Sequence, residues 1–480
     1  MKTVSLYTAC PELASDMAEV LRLFWGNITL LINEPGGEYA FTHTEEIKDG
    51  LRIVGVTDGA HAHETREAVT GDAVVDKRLR RRQAKLGVYQ VLRQITGMAP
   101  PWGSLTGIRP TRLLYANLEK GLDMDAACAE LQRVFDVSEE KTQVLRSIVT
   151  VQQGLQSPGP GEADIYIGIP FCVTRCAYCS FLSGEVGKGE LLAPYANALC
   201  REIDAALGLL EQTGLNPRAF YMGGGTPTAL PAPLLRRVLE KAAPLMDVCR
   251  ERTVEAGRPD TIDREKLQAL LDTGVTRISV NPQTMHDETL QRIGRRHTAA
   301  QTEAAYHLAR EMGFHHINMD LIAGLPGENL DMFRQTLGWI AGLAPESMTV
   351  HTLSIKRSSL LHLWQAQLPD GDMVADMVRA GAQAAREMGM RPYYLYRQKY
   401  MAGNQENVGY ALPGHECLYN VDMMEETANV IALGAGAASK RLFPRQGFIR
   451  RAFNVSDIRQ YIDRVEEMCR RKEELFLAEE

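Results

Sequence analysis

Residues 165–181 read IYIGIPFCVTRCAYCSF, an apolar run that opens into three cysteines, Cys172, Cys176 and Cys179. The run Ile165–Phe171 predicts a short strand. Thiolates at spacing C-x3-C-x2-C in one short loop can converge on one metal centre. Structural zinc takes four protein ligands, and here Ser180 and Phe181 follow where a fourth thiol would be sought. A [4Fe–4S] cluster also normally takes four thiolates. Three leave one iron open for an exogenous ligand, much as catalytic zinc keeps one position for its substrate. A trio of buried, unmetallated thiols is the remaining reading, and their crowding beside Pro170 and aromatic residues weighs against it.

Outward from this loop, short apolar segments alternate with longer helical patterns. The predicted strands are IYIGIPF, AFYMGGG, TVEAG, RISVNPQ, HINMDLIAG and SMTVHTLSI, with gaps mostly long enough for crossover helices. Such a series predicts a doubly wound sheet or an incomplete (β/α) barrel. In both, ligands bind where the strands end. The unusual polar and glycine residues fall there. Cys172 follows the first strand, Gly223 to Thr226 the second and Glu255 the third; Gln283 closes the fourth, Asp320 sits within the fifth, and Ser354 lies near the end of the sixth. Burying Gln283 or Asp320 without a partner would cost about 1–3 kcal/mol, so a ligand is a sensible partner for each. Glu255 suits hydroxyl or amino donors, or a surface salt bridge, and the fork of Arg295 suits a carboxylate. The glycine triplet permits close approach of a ligand to the backbone, and a tight strand-to-helix turn explains it equally well.

Pro158, Gly159, Pro160 and Gly161 form a stretch that neither helix nor strand favours. The predicted division is an α+β N-terminal domain over 1–161, a core over 162–360 and a small, mostly helical C-terminal region over 361–480. In the first part VSLYT, ITLLIN and LRIVGVTD predict strands, and VDKRLRRRQAKLGVYQVLRQITG predicts a helix ended by Gly97. The basic run DKRLRRRQAKLG, Asp76 to Gly87, reads as a solvated helix face in preference to an anion site. Elsewhere charge is nearly balanced: 53 Lys+Arg against 60 Asp+Glu give −7, so no global field recruits nucleic acid or a membrane. No run of about 18 apolar residues could span a bilayer. Nine cysteines, six of them scattered, do not resemble a disulfide framework. A cytoplasmic, reduced protein is expected.

The loop CVTRCAYC, with an aromatic residue before its last cysteine, resembles the signature of the radical S-adenosylmethionine (SAM) superfamily. Together with GGGTPT, VNPQTMHDETLQRIGRRH and NMDLIAGLPGE, it resembles the oxygen-independent coproporphyrinogen III dehydrogenase family over roughly Asp164 to Ser359, and more loosely at IALGAGAASK. The long N-terminal part with PWGSLTGIRPT, Pro101 to Thr111, is similar to a long, dehydrogenase-like variant of that family. The resemblance implies an incomplete (β/α)6 radical SAM barrel in which Cys172, Cys176 and Cys179 hold a [4Fe–4S] cluster. It implies that Tyr166, Tyr178, Gly224, Gly225, Thr226, Glu255, Gln283, Arg295, Asp320 and, more weakly, Ser354 line one or two SAM sites. It further implies haem biosynthesis: oxidative decarboxylation of coproporphyrinogen III, with a tetrapyrrole substrate, an electron donor such as flavodoxin or ferredoxin, and an electron acceptor that the sequence does not identify. Lys356, Arg357 and Arg109 are candidate cations for the substrate carboxylates.

The chain departs from that pattern in two places. The family's coproporphyrinogen enzymes continue from the third cluster cysteine with Gly and a further Cys, where this chain has Ser180 and Phe181. The related haem chaperones lack that cysteine too, and carry a His-Asn-x-x-Tyr motif in the region of HECLYNVDMM, His415 to Met424. Here Tyr419-Asn420 is followed by Val421, Asp422 and Met423, so neither the histidine nor the tyrosine is in register. A haem-delivery protein and a radical SAM methyltransferase that degrades haem are the alternative readings.

Overall fold

The computed structural model describes the chain except residues 108, 156, 180–183, 355–360, 362–367, 399–400 and 480. Ser180, Phe181, Lys356 and Arg357 lie outside the described residues. Two compact units result, Met1–Arg146 and Ser147–Glu480.

The first unit is a five-stranded sheet in the order β2-β1-β3-β4-β5. Its strands are β1 (Lys2–Thr8), β2 (Ile28–Ile32), β3 (Tyr39–Lys48), β4 (Leu51–Thr57) and β5 (Ala62–Ala68). Val4, Leu6, Phe41 and Val56 of the sheet share a core with Met17, Leu21, Val88 and Leu92 of the helices Ala14–Trp25 and Ala73–Thr96. The second helix starts at Asp72, whose carboxylate accepts from the N–H groups of Val74 and Val75 at 2.8 and 3.1 Å, and stops at Gly97 with φ 68°. The basic run on this helix is ion-paired. Arg80 holds Glu45 at 2.7 Å and Glu12 at 2.8 Å, Arg82 meets Glu67, and Lys85 reaches Asp16 and Glu19 at 3.0 and 2.9 Å. The solvated helix face thus carries ion pairs to the sheet and to the helix Ala14–Trp25. Within GSLTGIRPT, a Cβ on Gly103 would stand 1.9 Å from the Phe135 carbonyl, and Thr106 Oγ1 lies between Lys85 Nζ and Glu19 at 2.8 and 3.0 Å. Gly103 to Thr106 are thus packed within the first unit.

The Pro/Gly stretch leads directly into the second unit's first strand, where the Glu162 N–H closes a turn on the Gly159 carbonyl at 3.0 Å. Helical Gln152, upstream of it, already belongs to this unit: its Nε2 donates to the Tyr393 carbonyl at 2.9 Å and to Glu425 at 3.2 Å. All six segments predicted for the core are strands: β6 (Glu162–Ile169), β9 (Asn216–Gly224), β10 (Glu251–Gly257), β11 (Arg277–Val280), β12 (Ile317–Ala323) and β13 (Ser347–Thr352). Between β6 and β9 two short strands, β7 (Phe171–Cys172) and β8 (Gly184–Glu185), pair with each other. The six lie side by side in chain order and parallel, an incomplete barrel. Helices such as Ala299–Met312 and Leu330–Leu343 supply the crossovers. The first opens with a capping box of Thr298 and Gln301, the second with Asn329 accepting from the Met332 N–H at 3.0 Å.

The C-terminal region carries the helices Gly371–Glu387, Leu418–Glu425, Ile458–Asp463 and Val465–Phe476, and also five strands. β14 (Arg391–Tyr396) and β15 (Asn407–Ala411) extend the sheet antiparallel beyond β13. β16 (Asn429–Leu433) runs parallel along β6, and β17 (Ala438–Phe443) and β18 (Phe448–Phe453) follow it as a hairpin. The result is an eleven-stranded sheet in which β6 is an inner strand, because β16 covers backbone groups that would otherwise form an open edge.

One buried carboxylate binds this region to the core. Glu202, on the helix Leu192–Thr213, accepts from Gly434 N–H at 2.7 Å, Asn454 Nδ2 at 2.7 Å, Tyr461 Oη at 2.6 Å and Lys472 Nζ at 2.5 Å. Tyr195, one turn from the start of the same helix, donates to the Gly168 carbonyl of β6 at 2.6 Å. Among the described residues no helix is long and apolar enough to cross a membrane.

Candidate functional site

The cysteine loop is fixed by backbone bonds before any side chain is considered. Gly225 N–H donates to the Ile169 carbonyl at 2.8 Å, Thr226 N–H to Phe171 at 2.7 Å, Val186 N–H to Cys172 at 2.9 Å and Ala177 N–H to Ile293 at 2.8 Å. Cys172, Cys176 and Cys179 are all half-buried, whereas Cys128, Cys200, Cys249, Cys417 and Cys469 are buried and Cys10 belongs to the first unit. Beneath the loop Ala177 packs with Leu290, Ile293, Ile322, Leu325, Leu353 and Leu361, an apolar layer of the kind that limits solvent access to a metal site. Among the described residues no three His, Cys, Asp or Glu side chains are gathered round a single-ion position. Thiolates that each bind a separate iron of a cluster need not share one.

The glycine triplet is used residue by residue. Gly224 has φ 112°, and a Cβ there would stand 2.9 Å from the backbone N and O of Ile169. At Gly225 it would lie 2.5 Å from the Phe171 carbonyl and 3.0 Å from Cys172 Sγ, and at Gly223 3.0 Å from the Glu255 carboxyl carbon. Next to them, buried Thr226 places Oγ1 3.6 Å from Cys172 Sγ.

Glu255 lies inside β10, not beyond it as the apolar pattern predicts, because that strand pairs on to Gly257. Its Oε1 accepts from Tyr221 Oη at 2.5 Å. Burial pushes its pKa up to about 7, with the Tyr221 bond opposing and Asp320 adding. Burial also works against ionisation of Asp320, yet His351, Asn318 and Thr349 outweigh it and hold that carboxyl below its ordinary value. Asn318 Nδ2 donates to Asp320 at 2.8 Å, His351 Nε2 stands 3.7 Å away, and Tyr396 Oη is 3.4 Å from His351 Nδ1. Tyr166, the register partner of Tyr221, stacks on that ring at 6.4 Å and on Tyr419 at 5.9 Å.

Gln283, with φ 69°, forms a single bridge to Leu321 of β12 beyond the end of β11. Its Oε1 is buried without a hydrogen-bond partner among the described residues, as are Ser279 Oγ, Asn281 Oδ1 and Arg295 Nε. Arg295 does not present a free fork. Nη1 donates to the Asn281 carbonyl at 2.6 Å and Nη2 to Tyr178 Oη at 3.3 Å, while Nε has no partner among the described residues. Ser354 lies two residues past β13, bridged to Met401. Half-buried thiols after β6, glycines that a Cβ would crowd after β9 and unpartnered buried polar atoms at and after the end of β11 fit a cluster with a polar organic ligand beside it.

Three further candidates have surroundings of their own. Arg109 is in the first unit. Cys417 is buried and donates to Glu251 at 3.1 Å, and His415 Nδ1 is 3.2 Å from His316 Nδ1. Sequence reasoning missed Arg258, which sets Nη1 3.8 Å from Cys176 Sγ and 3.2 Å from the Thr174 carbonyl while gripping Asp260 at 3.0 and 2.9 Å. It also missed His351, Tyr221 and Tyr396, and His297, whose pKa burial pushes down to about 3. Arg258 follows β10 by one residue, so the strand-end rule applied one position further finds it.

Residues 166–340 match the Radical SAM superfamily. Over 388 residues the chain is 42% identical to the oxygen-independent coproporphyrinogen-III oxidase-like protein HemZ of Bacillus subtilis, covering 78% of this chain and 77% of that one. The chain belongs to this coproporphyrinogen-III oxidase-like family of radical SAM proteins. The heme chaperone HemW of Escherichia coli is also similar, 30% identical over 293 residues, 60% of this chain and 72% of that one. Coproporphyrinogen III oxidase (HemN) from Escherichia coli, a radical SAM enzyme, shares the fold with a TM-score of 0.52, over 65% of this chain and 71% of that one at 22% identity. Membership of the radical SAM superfamily implies a [4Fe–4S] cluster and SAM.

Proposed function

We propose that the chain is a radical SAM oxidoreductase of haem biosynthesis that converts coproporphyrinogen III to protoporphyrinogen IX without oxygen. The reacting propionate loses a hydrogen atom from its β-carbon, then CO₂ and one electron, and becomes a vinyl group. When bound, the cluster and SAM supply the one-electron chemistry that removes the hydrogen. Cys172, Cys176 and Cys179 would each hold one iron. Gly224, Gly225 and Thr226 would stand beside the methionyl end of SAM. Glu255 and Asp320 would accept from its amino and hydroxyl groups, and Gln283, Arg295, Tyr166, Tyr178 and Ser354 would complete one or two such sites. Lys356 and Arg357, which follow β13 in sequence, are proposed to meet substrate carboxylates. Flavodoxin or ferredoxin would supply the electron, and an acceptor takes the one released.

The observation that supports this reading is the combination of three half-buried thiols after β6 with the unpartnered buried atoms of Ser279, Asn281, Gln283 and Arg295 at and after the end of β11, where Arg295 reaches Tyr178 of the cysteine loop at 3.3 Å. Reconstituted, reduced protein incubated with SAM and coproporphyrinogen III under argon tests it, with 5′-deoxyadenosine and the vinyl product scored separately. Both are expected. Deoxyadenosine without vinyl product keeps the radical chemistry and removes this substrate. A second reading, haem delivery, is supported by the similarity to HemW and weakened by the internal bonds of His415 and Cys417. A parallel incubation with haem as the substrate that yields a methylated or ring-opened product would favour haem degradation.

A further inference from the structure

Arg258 and Asp260 stand on either side of Pro259, just past the end of β10. Gly257 closes the strand with φ 59°, and Pro259–Thr261 forms a single helical turn. That turn pins the Arg258 carbonyl, which accepts from Thr261 N–H at 3.0 Å and from Thr261 Oγ1 at 2.8 Å. The side chain is held as firmly. It is buried, and its Nε and Nη2 donate to the two carboxylate oxygens of Asp260 at 3.0 and 2.9 Å, the paired contact that fixes the plane of a guanidinium. The remaining corner, Nη1, then meets the cysteine loop, 3.2 Å from the Thr174 carbonyl and 3.8 Å from Cys176 Sγ.

Burial works against the Asp260 charge, but Arg258 leads the groups that outweigh it and hold that carboxyl below its ordinary value. His297 lies beside the carboxylate, with Nδ1 3.8 Å from Oδ1. Burial pushes its imidazole down to about 3, so it adds no charge at neutral pH. A buried ion pair often stabilises a fold no more than apolar packing of the same volume, and stability alone does not explain this one. Holding the loop does not explain it either. Backbone bonds from Ala177 to Ile293 and from Val186 to Cys172, with Arg175 N–H on Glu185 at 3.1 Å, already fix that segment. What a guanidinium adds, and a neutral donor cannot, is positive charge beside the Cys176 sulfur. Asp260 grips the other two nitrogens, so the positive end of the pair faces that sulfur.

We propose that Arg258, oriented by Asp260, is a positioning residue that sets the reduction potential of the iron–sulfur centre through the Cys176 sulfur. The proposal rests on the cluster that membership of the radical SAM superfamily implies, and on no particular substrate. In the reduction an external one-electron donor gives up its electron, no atom is transferred, and the charge carried by thiolates and iron becomes more negative by one. A cation and a hydrogen-bond donor at the sulfur favour that more negative state and raise the potential, since net charge and hydrogen bonds to the sulfurs are among the factors that set it. Asp260 acts in the opposite direction by offsetting the cation.

Anaerobically purified holoprotein without SAM is titrated with dithionite in the presence of mediator dyes, and the reduced cluster is followed by electron paramagnetic resonance. Iron content and unfolding midpoint are measured on the same samples. Arg258→Gln, which keeps a neutral donor, is expected to hold about four iron while its midpoint potential falls by about 59 mV or more, tenfold in a one-electron equilibrium. Arg258→Lys, which keeps the charge and loses the fork, should recover part of the shift. Asp260→Asn should raise the potential, because the cation is no longer offset. If Arg258 only staples the loop, iron content or the unfolding midpoint falls and the potential does not move. That result overturns the proposal, as do shifts of the same sign in Arg258→Gln and Asp260→Asn. Should Arg258→Gln retain no iron, Asp260→Asn decides: a higher potential supports the proposal, and one at or below the wild-type value overturns it. Wild-type protein free of iron after reconstitution would remove the cluster and the proposal with it, and iron analysis shows this before any potential is read.

Discussion

The phenol of Tyr221 donates a 2.5 Å hydrogen bond to Glu255, joining two neighbouring parallel strands at the level of the glycine triplet. The bond favours the ionised carboxylate, while burial holds its pKa up at about 7. Tyr221→Phe is therefore expected to raise that value further. If Glu255 accepts from SAM, the affinity of the wild type strengthens as pH rises through about 7. The variant strengthens only at higher pH, and at neutral pH binds roughly five- to tenfold more weakly, the equivalent of one lost hydrogen bond. Calorimetry across this pH range checks it; superimposable profiles count against a role for Glu255.

Asp164, at the opposite end of β6, is fully buried, and neither carboxylate oxygen has a hydrogen-bond partner among the described residues. Burial first, and Glu251 second, push its pKa up to about 7 against the pull of Arg218. A value raised on folding contributes stability that is complete below the unfolded pKa and lost as pH rises through the folded one. Asp164→Asn removes this dependence. Its stability relative to wild type is expected to grow by on the order of 3 kcal/mol between pH 5 and 8, read from denaturant midpoints. A pH-independent difference would contradict the assignment.

Anaerobically purified protein is expected to carry about four iron and four sulfide per chain. Alanine at Cys172, Cys176 or Cys179 should abolish this, and alanine at Cys10, Cys128, Cys200, Cys249, Cys417 or Cys469 should not. The glycines should separate. Both alanine variants should lose folding stability, since a Cβ would stand 2.5 Å from the Phe171 carbonyl at Gly225 and 2.9 Å from the Ile169 backbone at Gly224, where φ is 112° and the left-handed conformation costs about 1–2 kcal/mol. Gly225→Ala also crowds Cys172 Sγ and should lower iron content the more. Full iron retention in all three cluster-cysteine variants would remove the metal assignment.

Lys472→Met leaves the Glu202 carboxylate buried opposite a methyl group, and a loss of about 3–5 kcal/mol is expected. Adding Glu202→Gln should recover most of it, since the uncompensated charge is gone. A double variant as unstable as the single one would show that packing, not charge, links the C-terminal helix to the core.

A fragment over 147–480 is expected to hold iron and cleave SAM, because every proposed cluster and SAM residue lies in the second unit. A cut at Gly161 removes Gln152 and its bonds to Tyr393 and Glu425, so that shorter fragment should be less stable. Thermal unfolding of both fragments, together with their iron content, decides it.

The six core strands were legible because each is a dense apolar run ending in glycine or polar residues. β5, AHETREA, was not: it carries no apolar alternation, and all seven of its residues are held by register with β4. β16 is short, and its place beside β6 depends on a pairing across most of the unit, which no local pattern encodes. Among candidate site residues, thiol spacing and strand-end position picked out Cys172, Gly225 and Gln283. Arg258 escaped because an arginine after a strand usually meets solvent, and only the fold brings it to Cys176. Tyr221 and His351 escaped because an aromatic residue inside an apolar run reads as core, whereas here their polar atoms meet Glu255 and Asp320.

Glu202 and Lys472 are separated by 270 residues. At about 5–20 residues per second on the ribosome, the helix bearing the carboxylate waits roughly 15–50 s for its cation. β6 waits almost as long for β16. The cysteine loop thus leaves the ribosome with its supporting strand held on one side only. Metal that arrives before β16 is made would meet thiols on a strand with one neighbour in place of two.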